Sequence, residues 1–567
     1  MTWGQQSIWR AHDWFGTGSY VLNMSLVLPL DQAPSLDACM AALGNVIARH
    51  PALRCRFGRA GTHLYQDAAA TGEVPLALFR ADSLIDADRL AGERSRRLAQ
   101  KPFDLTSEWP FRVDAVIVGN TVTHLAMAFC HVAVDGWASR LVMDELSAAL
   151  TLKVVLCADP PEWTSLDQAF LECSNIGAVE SDHAVEYWQE RLAVAPASMF
   201  DVVAQPSAQP RYQQVLIRSA AMAAAASVLS RRYRTSYSSV LLTTVALALA
   251  AVGSRDTAVL QLIVGNRADE RSRNLIAATA QNGLLVQRFP ATFDLQQAIR
   301  ATFRAATRAY FYGHYDPEHL DDVIKMTAAR RGVYMDLNAY FNDARMGREP
   351  DERLSSMSET EVAALRSATT LETLATMTKH DSRFFAQLRH HPRECHLALL
   401  VDTEYVSRPA TERMLLAIEE VLVRAVSSAV PIAEVFDSFS VVSGTRPSEW
   451  VRTSSGWVSP RTVSALVAEC AEMGGRVSVF QDFTGGDGST SLHAFLAGGT
   501  TYDLEDLHRR VVTALDRRTG VCAPHRYVLT DRTPHQYKDR AAWEARAVSD
   551  FVPTLGARTR AESDPRT

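Results

Sequence analysis

The sequence predicts a protein of the mixed α/β class, with two large units of helices and strands followed by a small α+β unit. Its 567 residues exceed what one hydrophobic core needs, so we expect more than one folding unit. Segments with the two-residue period of strands alternate with segments of helical period as far as about residue 440. A shorter series of helix and strand patterns follows from about residue 445.

The composition excludes several classes of partner. The formal net charge is −6, without a broad basic field, so we expect no nucleic-acid partner. The eight cysteines include no Cys-x-x-Cys pair, which argues against a structural zinc or a redox dithiol. The longest apolar run, residues 240–252, is too short to span a bilayer, and no secretory pattern opens the chain. We therefore expect a cytoplasmic protein with no bound metal and no membrane partner.

Periodicity places the main elements, with boundaries good to a few residues. In the first large unit (residues 1–180) and the segment after it, we predict a helix at 36–50, a strand at 121–129, a helix at 137–150 and a helix that ends at Tyr187-Trp188. In the second (181–440), we predict helices at 220–230, 239–252 and 411–426, and strands at 258–264, 334–340 and 396–402. In the small unit (445–550), we predict helices at 460–473 and 504–517, strands at 476–483, 492–497 and 525–530, and a flexible tail at 551–567.

His131 is the first candidate for a catalytic residue. It directly follows the strand pattern of residues 121–129, where a side chain can project from the end of a rigid sheet into a cleft. A neutral imidazole accepts a proton near physiological pH, so His131 can serve as a general base or as a hydrogen-bonding anchor for a nucleophile. A structural histidine with satisfied hydrogen bonds is the alternative interpretation.

Asp135 precedes the predicted helix and has two structural interpretations, a helix N-cap or the partner of a buried arginine. In the second case it holds the loop that aims His131. We expect Gly136 to adopt a backbone conformation closed to other residues and to leave room for a substrate.

Two other chemistries at this loop are disfavoured. Cys130 and His131 are adjacent, and successive strand residues point to opposite faces, so a Cys-His nucleophile pair is poorly placed and Cys130 is expected to be a packing residue. A metal site on His131 and Asp135 lacks further ligands.

The Gly-rich residues 484–490 are more typical of a hairpin turn than of a phosphate site, because no Gly-Lys-Ser/Thr follows them.

The loop resembles the signature of nonribosomal peptide synthetase condensation domains, His-His-x-x-x-Asp-Gly followed by Trp, which reads Cys130-His-Val-Ala-Val-Asp-Gly-Trp137 here. Other motifs of that family have counterparts in the same order, over about residues 1–435. They are Trp3-Gly-Gln-Gln-Ser-Ile-Trp9, Arg49-His-Pro-Ala-Leu-Arg-Cys-Arg-Phe57, Pro102-Phe-Asp-Leu105 with Pro110-Phe-Arg112, Tyr187-Trp188, Gly265-Asn-Arg267, and Asn282-Gly283 with Gln287.

The resemblance implies two lobes similar to chloramphenicol acetyltransferase, which form a V around a central tunnel. It implies no tightly bound cofactor: the phosphopantetheine arm of an acyl or peptidyl carrier protein brings an acyl thioester, and an amine or hydroxyl acceptor attacks it. By the same analogy, His131 orients or deprotonates the acceptor, Asp135 is structural with Arg267 as its candidate partner, and Gly136 lines the thioester. The supporting residues implied are Cys130, Trp137 and Arg267, and the tunnel or substrate candidates are Asn282, Gly283 and Gln287.

The chain departs from the family pattern in three places. Cys130 replaces the first histidine, and we expect this replacement to loosen the loop. Gln287 stands where asparagine is usual, and there is no clear Asp-Phe-Gly-Trp-Gly latch.

Three functions therefore stay open. The leading one is a stand-alone enzyme of specialised-metabolite biosynthesis that forms an amide or, next, an ester. The others are a non-catalytic platform that recruits a carrier protein or partner enzyme, and an acyl-CoA-dependent transferase of the same superfamily.

The small unit resembles the C-terminal subdomain of adenylate-forming enzymes, through residues 504–515 and 523–534. Lys538 falls near the mobile catalytic lysine of that subdomain. The chain has no large adenylation domain, so a structural or docking role is expected rather than action in trans.

Overall fold

The structure is a computed structural model, and it describes residues 1–151, 161–200, 207–440, 447–472, 477–483, 490–498 and 503–553. The predicted turn at 484–490, apart from Thr490, and the predicted tail after residue 553 lie outside the described residues.

The chain forms two compact units, and neither is continuous in sequence. The first comprises Met1–Val185, Ile263–Gly283 and Phe311–His319, and the second comprises Glu186–Leu262, Leu284–Tyr310 and Leu320–Thr567. Two segments of the later chain therefore return to the first unit. The predicted domain limits of 1–180, 181–440 and 445–550 remain a prediction.

The first unit is built on a four-stranded sheet of order β1-β6-β5-β4, with a separate β2-β3 hairpin. β6 is antiparallel to both β1 and β5, and β4 is parallel to β5. The strands are β1 Met24–Pro29, β2 Cys55–Ala60, β3 His63–Ala68, β4 Leu76–Ala81, β5 Phe111–Val118 and β6 Thr121–Phe129. The helices up to residue 194 are α1 Trp3–Phe15, α2 Leu36–Arg49, α3 Leu84–Ala99, α4 Gly136–Thr151, α5 Ser165–Glu172 and α6 Asn175–Val194, with 3₁₀ turns at Gly16–Leu22 and Pro51–Arg54. Residues 186–194 of α6 are assigned to the second unit.

β6 is the central strand that leads into the candidate site, and it has the predicted bounds. Leu125, Met127 and Phe129 face the main core of the first unit. Ala126 and Ala128 on the other face are also fully buried. Burial on both faces makes β6 a rigid base for the loop that follows it.

A seven-stranded sheet has the order β11-β7-β13-β12-β10-β8-β9, and most of it belongs to the second unit. Its strands are β7 Tyr212–Ser219, β8 Thr257–Val264, β9 Gln281–Arg288, β10 Ala339–Asp343, β11 Thr370–Met377, β12 Phe384–Arg389 and β13 Cys395–Asp402. Residues 263–264 of β8 and 281–283 of β9 are assigned to the first unit. The helices between residues 220 and 440 are α7 Ala220–Tyr233, α8 Tyr237–Val252, α9 Glu270–Arg273, α10 Leu295–Phe311, α11 Pro317–Arg331, α12 Glu359–Ala364, α13 Arg408–Ser427 and α14 Ile432–Phe439, with 3₁₀ turns at Glu352–Ser356 and Leu365–Ala368. Of these, α9, the last residue of α10 and the first three residues of α11 belong to the first unit.

Within the described residues, no single helix is long and apolar enough to cross a membrane. The pair α7 and α8 meets the length and composition criteria together, but the two helices are bent by 109° at the break between them.

The C-terminal part of the second unit is a small α+β arrangement, as predicted. Its four-stranded sheet has the order β16-β17-β18-β19, and β14 and β15 form a separate hairpin. The elements are β14 Val451–Thr453, β15 Gly456–Val458, α15 Pro460–Cys470, β16 Val477–Phe483, β17 Thr490–Ala497, α16 Leu504–Ala514, β18 Arg526–Thr530, α17 Arg540–Glu544 and β19 Ala547–Phe551. The hairpin, α17 and β19 were not predicted.

Two predicted elements are wrong in their extent. The strand placed at 334–340 begins only at Ala339, because the preceding residues bond to loops: the N–H of Asp336 donates to Ala197, and its buried carboxylate pairs with Arg383. The helix expected to end at Tyr187-Trp188 continues to Val194, because Trp188 and Leu192, one turn apart, are both buried.

Candidate active site

His131 lies in the turn between β6 and α4. The N–H of Cys130 donates to the carbonyl of Pro110 at 2.9 Å, and the Cys130 carbonyl accepts the N–H groups of Ala133 and Val134 at 3.1 and 3.3 Å. All three bonds involve backbone atoms only. These bonds do not depend on the side chain at position 130, so the expectation that cysteine there loosens the loop stays a prediction.

The side chain of His131 is oriented by one backbone contact. Its Nδ1 lies 3.1 Å from the carbonyl oxygen of Val134. A carbonyl oxygen only accepts, so Nδ1 carries the proton, and in the neutral ring the lone pair is on Nε2. The residue is half-buried, and Nε2 has no hydrogen-bond partner within the described part of the chain. This arrangement suits a base or acceptor that waits for a proton donor.

Asp135 is buried and fully engaged in hydrogen bonds. One carboxylate oxygen caps α4 by accepting the N–H of Ala138 at 2.8 Å, and the other accepts the N–H and hydroxyl of Thr279 at 3.0 and 3.2 Å. A guanidinium nitrogen of Arg267 is 2.9 Å from both oxygens. Asp135 thus combines the two structural roles that the sequence left as alternatives.

These contacts keep Asp135 ionised. Burial acts to raise the pKa of Asp135, but the charge of Arg267 and the N–H groups of Ala138 and Thr279 outweigh it and hold the pKa below its usual value. A carboxylate whose lone pairs are occupied in this way does not exchange protons with a substrate. Asp135 therefore positions the loop.

Arg267 joins a distant segment of the first unit to this loop. Besides Asp135, its guanidinium donates to the carbonyls of Ser272 and Ala277, at 2.8 and 2.9 Å, and to that of Leu275. The backbone of the same segment also donates directly to the loop, from Ala278 N–H to the Ala133 carbonyl at 3.0 Å. The loop is therefore held by the segment that returns from later in the chain.

The N-terminal segment of the chain packs against Ala278 and Thr279 of the returning segment. The hydroxyl of Thr2 donates to the carbonyl of Ala278 at 2.7 Å. A Cβ on Gly4 would come within 2.6 Å of the Ala278 carbonyl oxygen and the Thr279 Cα, so only glycine allows this approach. This contact gives a physical reason for the glycine in the Trp-Gly-Gln-Gln motif.

Gly136 and Trp137 begin α4. Gly136 is not among the described residues with positive φ, so the expectation of a backbone conformation reserved for glycine is wrong there. Gly136 is half-buried, and its role in leaving room for a substrate stays a prediction. The indole N–H of Trp137 donates to the Arg273 carbonyl at 2.9 Å and supports the returning segment.

Cys130 is a buried packing residue in the main core of the first unit. Burial raises the pKa of its thiol to about 12, with smaller opposing contributions from nearby backbone N–H groups. A thiol with this pKa is almost wholly protonated at neutral pH and is a poor nucleophile.

We expect Cys130 to resist alkylation by iodoacetamide at neutral pH, while the exposed Cys173 is modified. Peptide mapping by mass spectrometry measures both sites in one sample, so Cys173 is the internal control. Equal labelling of the two cysteines in the folded protein would contradict the assignment of Cys130 to packing.

The three predicted tunnel candidates lie on β9. Asn282 and Gly283 belong to the first unit, and the Asn282 N–H bonds to the hydroxyl of Tyr315. Gln287 belongs to the second unit, where its buried side-chain amide donates to the carbonyl of Arg288 at 2.6 Å. Their roles toward a substrate remain a prediction.

Two residues that support the site were missed by the sequence analysis. Thr279 donates its backbone N–H to Asp135, and its hydroxyl lies 3.2 Å from the Asp135 carboxylate and 2.9 Å from the Gly265 carbonyl, so two acceptors share its one proton. The side chain of Gln281 holds the backbone of Tyr315 by both its N–H and its carbonyl. A single threonine or glutamine carries no local pattern that could have indicated these contacts.

A half-buried histidine, His314, holds the second returning segment through two carboxylates. His314 Nε2 and Nδ1 are each 3.0 Å from a carboxylate oxygen, of Glu172 and Glu180 respectively. Burial alone would lower the pKa of His314, but the hydrogen bonds and charges of the two glutamates raise it to about 9. Trp3 packs on the ring, with centroids 4.7 Å apart, and its backbone N–H donates to Glu172 at 2.5 Å.

We expect the first unit to lose stability as the pH rises from about 6.5, the ordinary pKa of histidine, through the folded-state pKa of about 9. The folded state holds the His314 proton more tightly than the unfolded state does, so the stabilisation is complete below this window and lost above it, by on the order of 3 kcal/mol. Urea unfolding on both sides of the window measures the change. His314→Gln should flatten this dependence, and His63→Gln, at an exposed site, should leave it intact. A His314→Gln protein with the wild-type pH profile would contradict the assignment.

One group of described side chains has the composition of a metal site. Ligand atoms of His391, Glu394 and His396 lie within 4.8 Å of one another, near the turn between β12 and β13. The two imidazoles are stacked, with centroids 4.5 Å apart and an interplanar angle of 13°. Lone pairs in nearly parallel rings do not converge on one ion, and His391 Nδ1 already accepts two backbone N–H groups. We assign no metal to this cluster.

The mixed helix-and-strand fold and the His-x-x-x-Asp-Gly turn at a strand end agree with the resemblance to condensation domains. The family model for the condensation domain matches residues 1–302, more than half of the chain, and the chain belongs to this family. Proteins of this family are generally acyl-transferring enzymes that work with carrier-protein-bound substrates in nonribosomal peptide synthetase systems.

Known relatives and structures agree with this assignment. The chain is 27% identical over 343 residues to the probable nonribosomal peptide synthetase CymA of Salinispora arenicola, a match that covers 56% of this chain and 4% of CymA. The chain thus corresponds to a small part of that relative. The condensation domain that mediates chain release from the enacyloxin polyketide synthase aligns with a TM-score of 0.57 at 18% identity, over 74% of this chain and 82% of that one. SgcC5 of Streptomyces globisporus aligns with a TM-score of 0.57 at 14% identity, over 76% of this chain and 99% of that one. These similarities confirm the predicted condensation-domain fold.

Proposed function

We propose that the chain transfers an acyl group from the phosphopantetheine thioester of a carrier protein to an amine acceptor, with a hydroxyl as the alternative acceptor. The observation that carries the proposal is the state of His131. Its Nδ1 is held by the Val134 carbonyl, which leaves the lone pair of Nε2 free to receive a proton.

The reaction transfers one proton and replaces the C–S bond of the thioester by a C–N or C–O bond. The acceptor nitrogen or oxygen attacks the thioester carbonyl, the new C–N or C–O bond forms, and the C–S bond breaks. His131 Nε2 takes the proton of the acceptor and returns it to the departing thiolate. No oxidant or reductant is required.

Asp135 and Arg267 have a positioning role in this scheme. Because the carboxylate is ionised and fully bonded, it holds the start of α4 and the returning segment in one arrangement. A loop that is already ordered before substrate arrives avoids the entropy cost of ordering it during the reaction.

The test is intact-protein mass spectrometry of an acyl-loaded carrier protein from the same biosynthetic locus. The carrier is incubated with candidate amines and alcohols, with and without this protein. Loss of the acyl mass that depends on the protein, together with a matching amide or ester, supports the proposal. Acyl-CoA in place of the loaded carrier tests the acyl-CoA-dependent alternative.

The competing function is a platform that binds a carrier protein or partner enzyme without turnover. Cys130 favours it, because a buried thiol with a raised pKa cannot supply the polar side chain that the family places there. Carrier binding without release of any acyl group, across a broad panel of acceptors, would favour the platform over the transferase.

A further inference from the structure

A polar cluster lies on one face of the small C-terminal sheet, on the paired strands β16 and β17. Ser491 and His493 are two residues apart on β17, so their side chains point to the same face. Asp482 of β16 is the cross-strand partner of Ser491, which places its side chain on that face as well. All three residues belong to the second unit, and a hydroxyl, an imidazole and a carboxylate thus meet at one place.

The order of the contacts is that of a serine nucleophile, its base and the group that orients the base. His493 Nε2 is 3.3 Å from the Ser491 hydroxyl, and His493 Nδ1 is 3.7 Å from a carboxylate oxygen of Asp482. The hydroxyl has a second acceptor, the Asp482 carbonyl at 3.4 Å, and the imidazole is the nearer of the two. Contacts between a nucleophile, a base and its orienting group are commonly loose before a substrate binds.

His493 has an unpaired nitrogen that packing does not explain. The residue is 8% exposed, and its Nδ1 has no hydrogen-bond partner within the described residues. A buried ring nitrogen without a partner destabilises a fold, so a histidine at this position needs another reason. The nearby charge of Asp482 favours the proton on Nδ1, which leaves the lone pair on Nε2, toward Ser491.

The surroundings keep the imidazole neutral and the carboxylate ionised. Burial, together with the positive charges of Arg540 and Arg526, holds the pKa of His493 below its usual value, against the charge of Asp482. The hydrogen bond from Arg540, at 3.2 Å, holds the pKa of Asp482 below its usual value. A neutral imidazole beside a serine hydroxyl, with a carboxylate behind it, is ready to accept the hydroxyl proton at neutral pH.

Two neighbours of His493 suit an acyl substrate. Arg526 of β18 pairs with His493 in the parallel register, and its positive charge favours negative charge that develops on a carbonyl oxygen nearby. Phe480 of β16 lies opposite His493 and contacts the ring of Phe495, with centroids 5.5 Å apart. This side of the cluster is apolar and fits a short acyl chain.

We propose that Ser491, His493 and Asp482 form a second catalytic site, which hydrolyses esters and thioesters of small acyl groups. The Ser491 oxygen attacks the acyl carbonyl, His493 Nε2 takes the hydroxyl proton, and the C–O or C–S bond to the leaving group breaks. The departing alkoxide or thiolate takes the proton from His493. Water then attacks the acyl-serine ester and gives a proton to His493, which returns it to Ser491 as the carboxylic acid leaves. Asp482 orients the imidazole and stabilises its charged form.

The experiment uses the full chain and two probes of hydrolysis, p-nitrophenyl acetate and the acetyl thioester of N-acetylcysteamine. We expect Ser491→Ala to lower kcat/KM by about 100-fold or more, and Ser491→Ala with His493→Gln to fall no further, because the residues act as one unit. The matched control is Ser478→Ala, on β16 of the same sheet, whose hydroxyl donates to the Tyr537 carbonyl at 3.1 Å. This control should hydrolyse both probes like wild type.

A fluorophosphonate probe tests the nucleophile without any variant. An activated serine displaces fluoride from such a probe and keeps the phosphonyl group, so peptide mapping by mass spectrometry should find it on Ser491. Three results would overturn the proposal: hydrolysis by Ser491→Ala at the wild-type rate, a label confined to other residues, or a wild-type chain that neither hydrolyses the probes nor is labelled. The melting temperature of Ser491→Ala should match wild type, which separates lost chemistry from lost folding.

Discussion

Replacing His131 by alanine should lower kcat for the acyl transfer by roughly 100-fold or more, the usual contribution of a well-placed general base. The variant removes the imidazole Nε2, which has no hydrogen-bond partner within the described residues. Binding of the acyl donor should change little, because Nδ1 bonds only to Val134 of the same turn. Single-turnover assays with loaded carrier protein separate the loss in kcat from any change in affinity.

The control for this prediction is a histidine of the same unit with no part in the loop. His63 is exposed on β3, and His63→Ala should keep wild-type turnover. The melting temperature of His131→Ala should stay close to that of wild type, since a single hydrogen bond is lost. Turnover by His131→Ala within a few-fold of wild type would refute its assignment as the base.

Asp135→Ala should destabilise the first unit by about 3–5 kcal/mol, the usual effect of leaving one partner of a buried ion pair uncompensated. Arg267 would keep its charge in a site where its side chain is 7% exposed, and α4 would lose its cap from Asp135 to Ala138. Urea unfolding measures the loss, and hydrogen exchange at the Ala138 and Thr279 amides locates it.

A double-mutant cycle tests the physical reason for this effect. If the uncompensated charge dominates, Asp135→Ala combined with Arg267→Met should be less destabilising than the sum of the two single changes. Asp135→Asn retains the shape and an acceptor for Ala138, so it isolates the effect of charge. A loss below about 1 kcal/mol for Asp135→Ala would contradict the view that this pair holds the loop.

The sequence was most informative where burial follows a short period. The alternation of Leu125, Met127 and Phe129 predicted β6, and the spacing of Val142, Leu146 and Leu150 predicted α4. The loop between them, with His131 and Asp135, was therefore placed at a strand end before any contact was known. The family motifs added Arg267 as a candidate partner of Asp135, which periodicity could not indicate.

Prediction failed where a residue's partner is distant. The strand at 334–340 was too long because the buried Asp336 bonds to Arg383 and to the backbone of a distant loop. Gly136 was expected to need an unusual backbone, but it begins a regular helix. In both cases the local residues allow several conformations, and contacts far along the chain select one.

The amino-acid order alone determined the elements that lead to the site and the residues able to do chemistry there, because periodicity and side-chain type are local properties. Only the tertiary structure decided how these residues are held. Asp135 meets Thr279 and Arg267 more than 130 positions away, and His314 meets Glu172 and Glu180 at similar separations. Such pairs form when folding brings distant segments together and excludes water from their charges, and no local pattern records that step.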